Sequence, residues 1–439
     1  MRAAAAALAL SLILVASGCG SSTAANTSLG LDAAALVPAG ALAFVSADAN
    51  LDSSEWQVIG DLTGGLAGLR QGSDYKRDVH PALGDEVNLA VLGVDNGKPE
   101  AIALVHSQDQ AKLRALAAKF DRGNEHYTVE QIGGWSVVAD SQDSFDAVRR
   151  AEAGRSLADV AEFENATAQL AGGGLARAYA NGAALQRLPG TVSALARLAG
   201  SPRWLAARLA ADHGAVQLDV RAGSPASAPA TYKPTLLRDV PSGAIAAVSF
   251  KDVNRLFARL AAEPALEPAL RKAVASLGLR LADLKTLDGE GVLYVASGGI
   301  VPIITLELQP SDPKAAAKAL RAIAVRAGRT LAVHVEQRGA KVLLTDAPAG
   351  YGAGGRSLVE DQPFKDALAA ADVPAEIQWL AYADVQRLLP IVQAIAALTG
   401  GGGGQAKKTS PSLDKLGTAV AFGARSGTST TLKLRLTLR

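Results

Sequence analysis

The sequence predicts an α+β fold: a tandem duplication of two similar domains, each a largely antiparallel sheet with helices packed on one face. Three observations predict it. Short segments of alternating hydrophobicity are joined by glycine-bearing turns, with helical segments between the hairpins. The phrase "LVPAGALAFVSADAN" at Leu36–Asn50 returns as "DVPSGAIAAVSFKDVN" at Asp239–Asn254. The 439 residues are 49% hydrophobic and 20% charged, which is ample material for packed cores and argues against a disordered chain.

The repeat rests on order and spacing. Pro38 and Pro241 are 203 residues apart, and so are Tyr179 and Tyr382. Between them "LGDEVNLAVLG" answers "LDGEGVLYVASGG", and "EAIALVHSQDQAKLRALAAKF" answers "PIITLELQPSDPKAAAKALRAIA". "HYTVEQIGGWSVVAD" answers "HVEQRGAKVLLTD", and "LARAYANGAALQRL" answers "IQWLAYADVQRLL". A sixth pair, "AVQLDVRAG" (215–223) and "AVAFGARSG" (419–427), completes the series at an offset of 204. The period is too long for a solenoid repeat, so each copy reads as a domain. These are residues 36–223 and 239–439, with a Pro-, Ser- and Ala-rich linker at 224–238. Gly400–Gly404 and the polar stretch after it read as a long loop before the last hairpin.

Within one copy, "ALAFVSAD" alternates as a strand. "SSEWQVIGDLTGGLAGL" is helical, with Asp52 or Ser53 as N-cap and Glu55 in the first turn. "VNLAVLGV" and "EAIALVHS" form a hairpin through Asp95-Asn96-Gly97. "DQAKLRALAAKF" is a helix, and "YTVEQIGGWSVVAD" is two strands around Gly133-Gly134. "SFDAVRRAEA" and "VAEFENATAQLA" are helices, and a strand, a helix and a last strand close the unit.

The N-terminus carries a different signal. Met1-Arg2 precedes fourteen uncharged residues, Ala3–Ala16. A membrane-spanning helix needs about 20, so this run has the length of a signal-peptide core. Then "ASGC" places small residues before Cys19, the single cysteine of the chain. This resembles the bacterial lipobox, with Ala16 where Leu is usual. The resemblance implies a signal peptide over 1–18, cleavage before Cys19 and a diacylglyceryl group on its sulfur. Two acyl chains anchor stably, at about 0.8 kcal/mol per buried CH₂. Residues 19–35 read as the lipidated cysteine and a flexible tether; "GSSTAANTSLG" reaches about 18 Å root-mean-square. The expected location is the extracytoplasmic side of a bacterial cell membrane.

"VPAGALAFVSADANLDSSEWQ", Val37–Gln57, resembles the opening of a domain-of-unknown-function family of bacterial secreted proteins and lipoproteins. The resemblance implies an envelope location and no activity, so no catalytic residue is carried over.

Chemical motifs are few. Ser73-Asp74-Tyr75-Lys76, Tyr179-Ala180-Asn181 and Lys408-Thr409-Ser410 resemble the S-x-x-K, Y-x-N and K-T-G set of serine acyl-enzymes that act on peptidoglycan. Patterns this short arise by chance, and Tyr179 pairs with Tyr382 in the repeat, so it reads as structural. A second S-x-x-K, Ser311–Lys314, reads as helix capping behind Pro310. Asp48, Asn50 and Asp52 alternate like a calcium loop, but Ser53 and Ile59 stand where Gly and Glu are needed; capping by Asp52 is the better reading. His80, His106, His126, His213 and His334 lack metal-ligand spacing. Trp56, Trp135, Trp204 and Trp379 are scattered singly, which suits packing better than a sugar platform. The closing strand "TLKLRLTLR" puts Lys433, Arg435, Thr437 and Arg439 on one face, a solvated sheet face or a basic strip for anionic lipid.

The 44 basic and 42 acidic residues leave a net charge of +2, without the field that nucleic-acid binding needs. No catalytic residue, metal site or cofactor is expected; Cys19 is the one predicted modification site. Expected partners are the membrane, through the anchor, and other envelope proteins, with no nucleic acid. The leading expectation is a non-enzymatic envelope interaction or scaffold module. The rivals are a carrier or sensor of a hydrophobic ligand at the membrane surface, and an envelope enzyme.

Overall fold

The computed structural model describes residues 29–439 except 64–74, 96–97, 122–125, 171, 189–190, 213, 224–228, 277, 299–301, 328–332, 349–350, 352–354 and 399–414. Cys19, Ser73, His213, Lys408 and the Gly400–Gly404 loop therefore lie outside the described residues.

The chain is mixed α+β, with thirteen α-helices and one antiparallel sheet of sixteen strands among the described residues. The first eight strands are β1 (Ala43–Asp48), β2 (Glu86–Asp95), β3 (Lys98–Val105), β4 (Thr128–Ile132), β5 (Trp135–Ala139), β6 (Ala176–Asn181), β7 (Trp204–Asp212) and β8 (Ala215–Gly223). The other eight are β9 (Ala246–Lys251), β10 (Glu290–Ser297), β11 (Pro302–Gln309), β12 (His334–Arg338), β13 (Lys341–Thr345), β14 (Trp379–Asp384), β15 (Leu416–Ser426) and β16 (Ser429–Leu438). Helices α1 (Leu31–Ala34), α2 (Ser54–Thr63), α3 (His80–Leu83), α4 (Gln110–Ala118), α5 (Gln142–Glu152), α6 (Ala161–Ala168), α7 (Gly182–Leu185) and α8 (Thr191–Leu198) belong to the first half. Helices α9 (Val253–Ala262), α10 (Glu267–Ser276), α11 (Pro313–Ala327), α12 (Gln362–Ala370) and α13 (Val385–Leu398) belong to the second.

From its outer edge inward, the first half runs β4-β5-β3-β2-β1-β6-β7-β8, and the second runs β12-β13-β11-β10-β9-β14-β15-β16. Counted within each half, the two orders are the same. β8 and β16 then pair antiparallel along their length, Ser429 opposite Gly223 and Thr437 opposite Ala215, so the halves share one sheet. Fine details recur. Pro38 bridges Ser156 and Pro241 bridges Ser357, and each serine opens a capping box, with Asp159 and Glu360. Phe163 meets Tyr179 edge-on at 5.2 Å between ring centres, and Phe364 meets Tyr382 at 5.0 Å. By strand position, however, the sixth sequence pair does not correspond. β15 occupies the place of β7, and β8 that of β16. "AVQLDVRAG" and "AVAFGARSG" match because both are alternating strand sequences that end in glycine.

The expectation of helices on one face is corrected: they pack on both. Leu104 and Val105 are successive residues of β3 and point oppositely. Leu104 joins a core with Phe145, Val148 and Phe163 of α5 and α6, while Val105 packs with Leu113 of α4. In the second half, Val292 of β10 shares a core with Phe364 of α12. Leu308, on the opposite face, packs with Ala316 and Leu320 of α11. The cause is composition: strands such as β3 are apolar at both parities, so neither face can be left to water.

Two stretches read as tether and linker are docked in their described parts. Leu29, Ala33 and Ala34 are buried, and the Gly30 N–H donates to Glu86 at 3.0 Å. Tyr232 bridges Ile377, and Leu236 and Leu237 are buried in a 3-10 turn. The closing strand β16 lies inside the sheet between β15 and β8, and the Lys433 and Arg435 side chains are largely covered. Lys433 pairs with Asp372 at 3.0 Å, Arg435 donates to Gln217 at 3.1 Å, and Thr437 meets Thr418 at 2.9 Å. Internal partners therefore hold Lys433 and Arg435.

Candidate functional site

Among the described residues the sequence motifs do not assemble into a site; Ser73 and Lys408 lie outside them. Lys76 pairs with Asp52 at 2.8 Å, so Asp52 serves an ion pair rather than a cap. The cap of α2 is Ser53, whose hydroxyl accepts the Trp56 N–H at 3.3 Å. Asp48 accepts the Asn50 N–H, and Asn50 accepts the Asp52 N–H, which is turn chemistry along the would-be calcium stretch. Tyr179 is buried in the core, and Asn181 caps α7 through the Ala184 N–H at 3.1 Å. At the second S-x-x-K, Asp312 caps α11 through the N–H groups of Lys314 and Ala315, while Ser311 bonds Asp288. His80 contacts Asp85, His126 contacts Asp121, and His106 stacks on Trp135. Among the described residues no three side chains of metal-ligating type converge. Trp56, Trp135 and Trp204 are buried packing residues.

The structure instead opens a polar cleft of about 420 Å³ near the outer edge of the second half. Its floor is Tyr294 of β10, Thr305 and Glu307 of β11, and Leu343 and Thr345 of β13. Cross-strand pairing sets them on one face, with Tyr294 opposite Thr305 and Glu307 opposite Leu343. The rim carries Arg238, Asp239, Glu336, Arg338, Lys341 and Arg356. The β12–β13 turn is tight because Gly339 adopts φ +62°, which brings Arg338 and Lys341 together as the closing pair.

Electrostatics tie these groups together. The Lys341 ammonium touches Asp239 at 2.6 Å and Glu307 at 3.4 Å. Burial pushes the Glu307 carboxyl above the usual carboxylate range, and the nearby Asp239 charge adds to this against the pull of Lys341. Burial opposes the Lys341 ammonium, but its two carboxylates outweigh that and hold its pKa above the ordinary lysine value. Arg338 grips Glu336 through two N–H groups at 2.8 and 2.7 Å. Thr305 and Thr345 share a hydrogen bond of 2.6 Å, and the Tyr351 hydroxyl donates to the Ser297 carbonyl. The serine in the lining, Ser357, is engaged as a cap with Glu360 rather than set against a base. The arrangement offers charged donors and acceptors of both signs, which suits recognition of a polar ligand.

The first half shows how such a cleft is closed. Ile132 and Trp135 close the β4–β5 hairpin where Arg338 and Lys341 close β12–β13. Leu104 stands in the place of Glu307, opposite Val137 as Glu307 is opposite Leu343. Over this apolar floor lies α5, inserting Phe145 and Val148. Between β13 and Ser357 the described residues contain no helix. The site was missed in the sequence reading, though its signal was present. At an offset of 203, polar Thr305 and Glu307 replace Ile102 and Leu104 at inward positions of an otherwise apolar strand.

Comparison of the chain with protein-family models, with curated protein sequences and with solved structures finds no match to any of them.

Proposed function

We propose that the chain is a lipid-anchored, extracytoplasmic interaction module, formed by tandem duplication and without enzymatic chemistry, that recognises a polar partner group through the cleft at Glu307 and Lys341. The observation that carries this reading is the contrast at one strand position: an apolar floor covered by α5 in one half, and in the other a polar floor lining a cleft over which the described residues place no helix. Burying a carboxylate where Leu would pack costs stability, and a recognition role accounts for retaining it. Duplication is supported by the shared strand order and the repeated proline–serine bridges. Anchoring is supported by the Ala3–Cys19 pattern and by the family resemblance of Val37–Gln57. Among the described residues no helix is long and apolar enough to cross a membrane, and the anchor supplies attachment in its place. The enzyme rival loses ground because Lys76 is paired with Asp52 and Tyr179 is buried. The carrier rival draws on a different cavity, beside Phe163.

Photocrosslinking in intact cells tests the reading. A photoreactive residue replacing the exposed Arg238 should give a discrete adduct that Lys341→Glu abolishes. No adduct, or one unchanged by Lys341→Glu, overturns it. Wild-type protein should stay with membranes through a salt wash, and Cys19→Ala should release it; release of both alike removes the anchor. A β-lactam probe should leave the protein unlabelled, and labelling at Ser73 would restore the enzyme.

A further inference from the structure

A second cavity, of about 430 Å³, opens at the surface of the first half beside α6. Leu31, Ala158, Phe163, Thr167 and Ala168 give it a mainly apolar wall, and Arg177 of β6 contributes the guanidinium. Arg177 is only 9% exposed. Its Nη2 donates to the Gly172 carbonyl at 2.6 Å, and its buried Nε has no acceptor. No carboxylate forms an ion pair with it among the described residues, although Glu164 sits on the cavity rim. Its cross-strand neighbour is another cation, Arg208, and that one is neutralised by Asp219 at 2.6 Å. Burial and the like charge of Arg208 both act against the Arg177 cation.

The second half shows that the fold does not require this charge. Tyr179 and Tyr382 hold the same position against Phe163 and Phe364. Two residues earlier stand Arg177 and Leu380, opposite Ser46 and Ser249 respectively. Leu380 is a core residue, 2% exposed. An arginine at a position where leucine packs, left without a counter-ion beside a cavity, is a group prepared for an anion. Guanidinium pairs with carboxylate in a two-pronged geometry, and the apolar wall suits a hydrocarbon portion.

We infer that this cavity binds a carboxylate-bearing amphiphile, its acid group on Arg177 and its hydrocarbon chain against Phe163 and Leu31. The inference deepens the carrier reading and does not depend on the cleft at Glu307. Octanoate and 1-octanol, titrated calorimetrically into the full chain, test it. Octanoate should bind at least tenfold more tightly than octanol, and Arg177→Leu should reduce octanoate affinity at least tenfold while leaving octanol unchanged. Leu380 indicates that leucine is accepted at this position. Should that variant not fold, Ala168→Phe fills the cavity from the exposed side of α6 and should abolish octanoate binding with Arg177 intact. Equal binding of octanol and octanoate overturns the anion assignment and leaves an apolar carrier. Binding of neither overturns both, and octanoate binding unaffected by Arg177→Leu or Ala168→Phe places the ligand elsewhere and overturns the site.

Discussion

Asp48 ends β1 half-buried, with its carboxylate accepting the Asn50 N–H at 2.7 Å and its carbonyl accepting the Trp56 indole N–H at 2.8 Å. Burial, together with Glu55, Asp85 and Glu86 nearby, pushes its pKa up to about 6. A carboxyl whose folded pKa lies above its unfolded value holds its proton more tightly in the fold, so stability falls as pH rises from about 4 to 6. Asp48→Asn keeps the acceptor and removes the charge. At pH 7 the variant should be more stable than wild type by about 1–2 kcal/mol, after discounting for partial solvent contact. The gain should shrink to nothing as pH falls to about 4. Urea titrations at pH 7, 5.5 and 4.5 measure it; a destabilised variant at pH 7 would show that the charge itself is used by the fold. At this scale the residue types were legible and their pairings were not. Either Asp52 or Ser53 could cap α2 from sequence, and Lys76, brought close in space, claims Asp52.

Within the strands, each half seats an indole on a glycine. Trp204 of β7 lies opposite Gly223 of β8, and Trp379 of β14 opposite Gly423 of β15. A Cβ on Gly223 would stand 2.1 Å from the Trp204 indole, and one on Gly423 2.4 Å from the Trp379 indole. The missing side chain is thus filled by the ring across the ladder. Gly223→Ala and Gly423→Ala should each cost about 1–3 kcal/mol through overpacking. Gly40→Ala, with nothing within 4 Å of the added carbon, should stay within about 0.5 kcal/mol. Thermal melts separate the three; an unchanged midpoint for Gly223→Ala would mean that the indole moves aside freely. The elements themselves followed from alternation and caps: α4 begins behind Asp109 and α5 behind Ser141. Pairing partners did not follow, because an alternating strand looks the same wherever it sits in a sheet. That is why the sixth repeat match joined β8 to β15.

The whole molecule is organised around the β8–β16 seam, where Leu218 meets Leu434 and Val216 meets Leu436. A second tie between the halves is Arg197 of α8, which grips Glu263, just past α9, through two N–H groups at 2.9 and 2.7 Å. Cutting the chain between the halves would leave β8 with an unpaired edge and half-exposed apolar side chains, a surface that seeks another strand. Residues 29–223 expressed alone should therefore self-associate, β8 against β8, in place of β16. Size-exclusion chromatography with light scattering should report a dimer or larger species, and a stable monomer would show that the seam is not needed to satisfy β8. A charge pair placed across the seam, such as Leu218→Lys with Leu434→Glu, should restore assembly only when the two halves are mixed.

By itself the sequence determined the α+β class, the positions of most strands and helices, and the N-terminal pattern ending at Cys19. These depend on local periodicity, on turn and cap residues, and on spacing along the chain. Only the tertiary structure decided that the two halves merge into one sixteen-stranded sheet with helices on both faces. It also decided which polar residues in apolar strands line a pocket. Glu307 and Arg177 each sit where the matching residue of the other half is leucine. Whether such a residue is a satisfied core group or the wall of a cavity depends on what packs over it. Over Leu104 that is α5, whereas Glu307 and Arg177 each line a pocket. Long-range packing settles this, and no window of local sequence contains it.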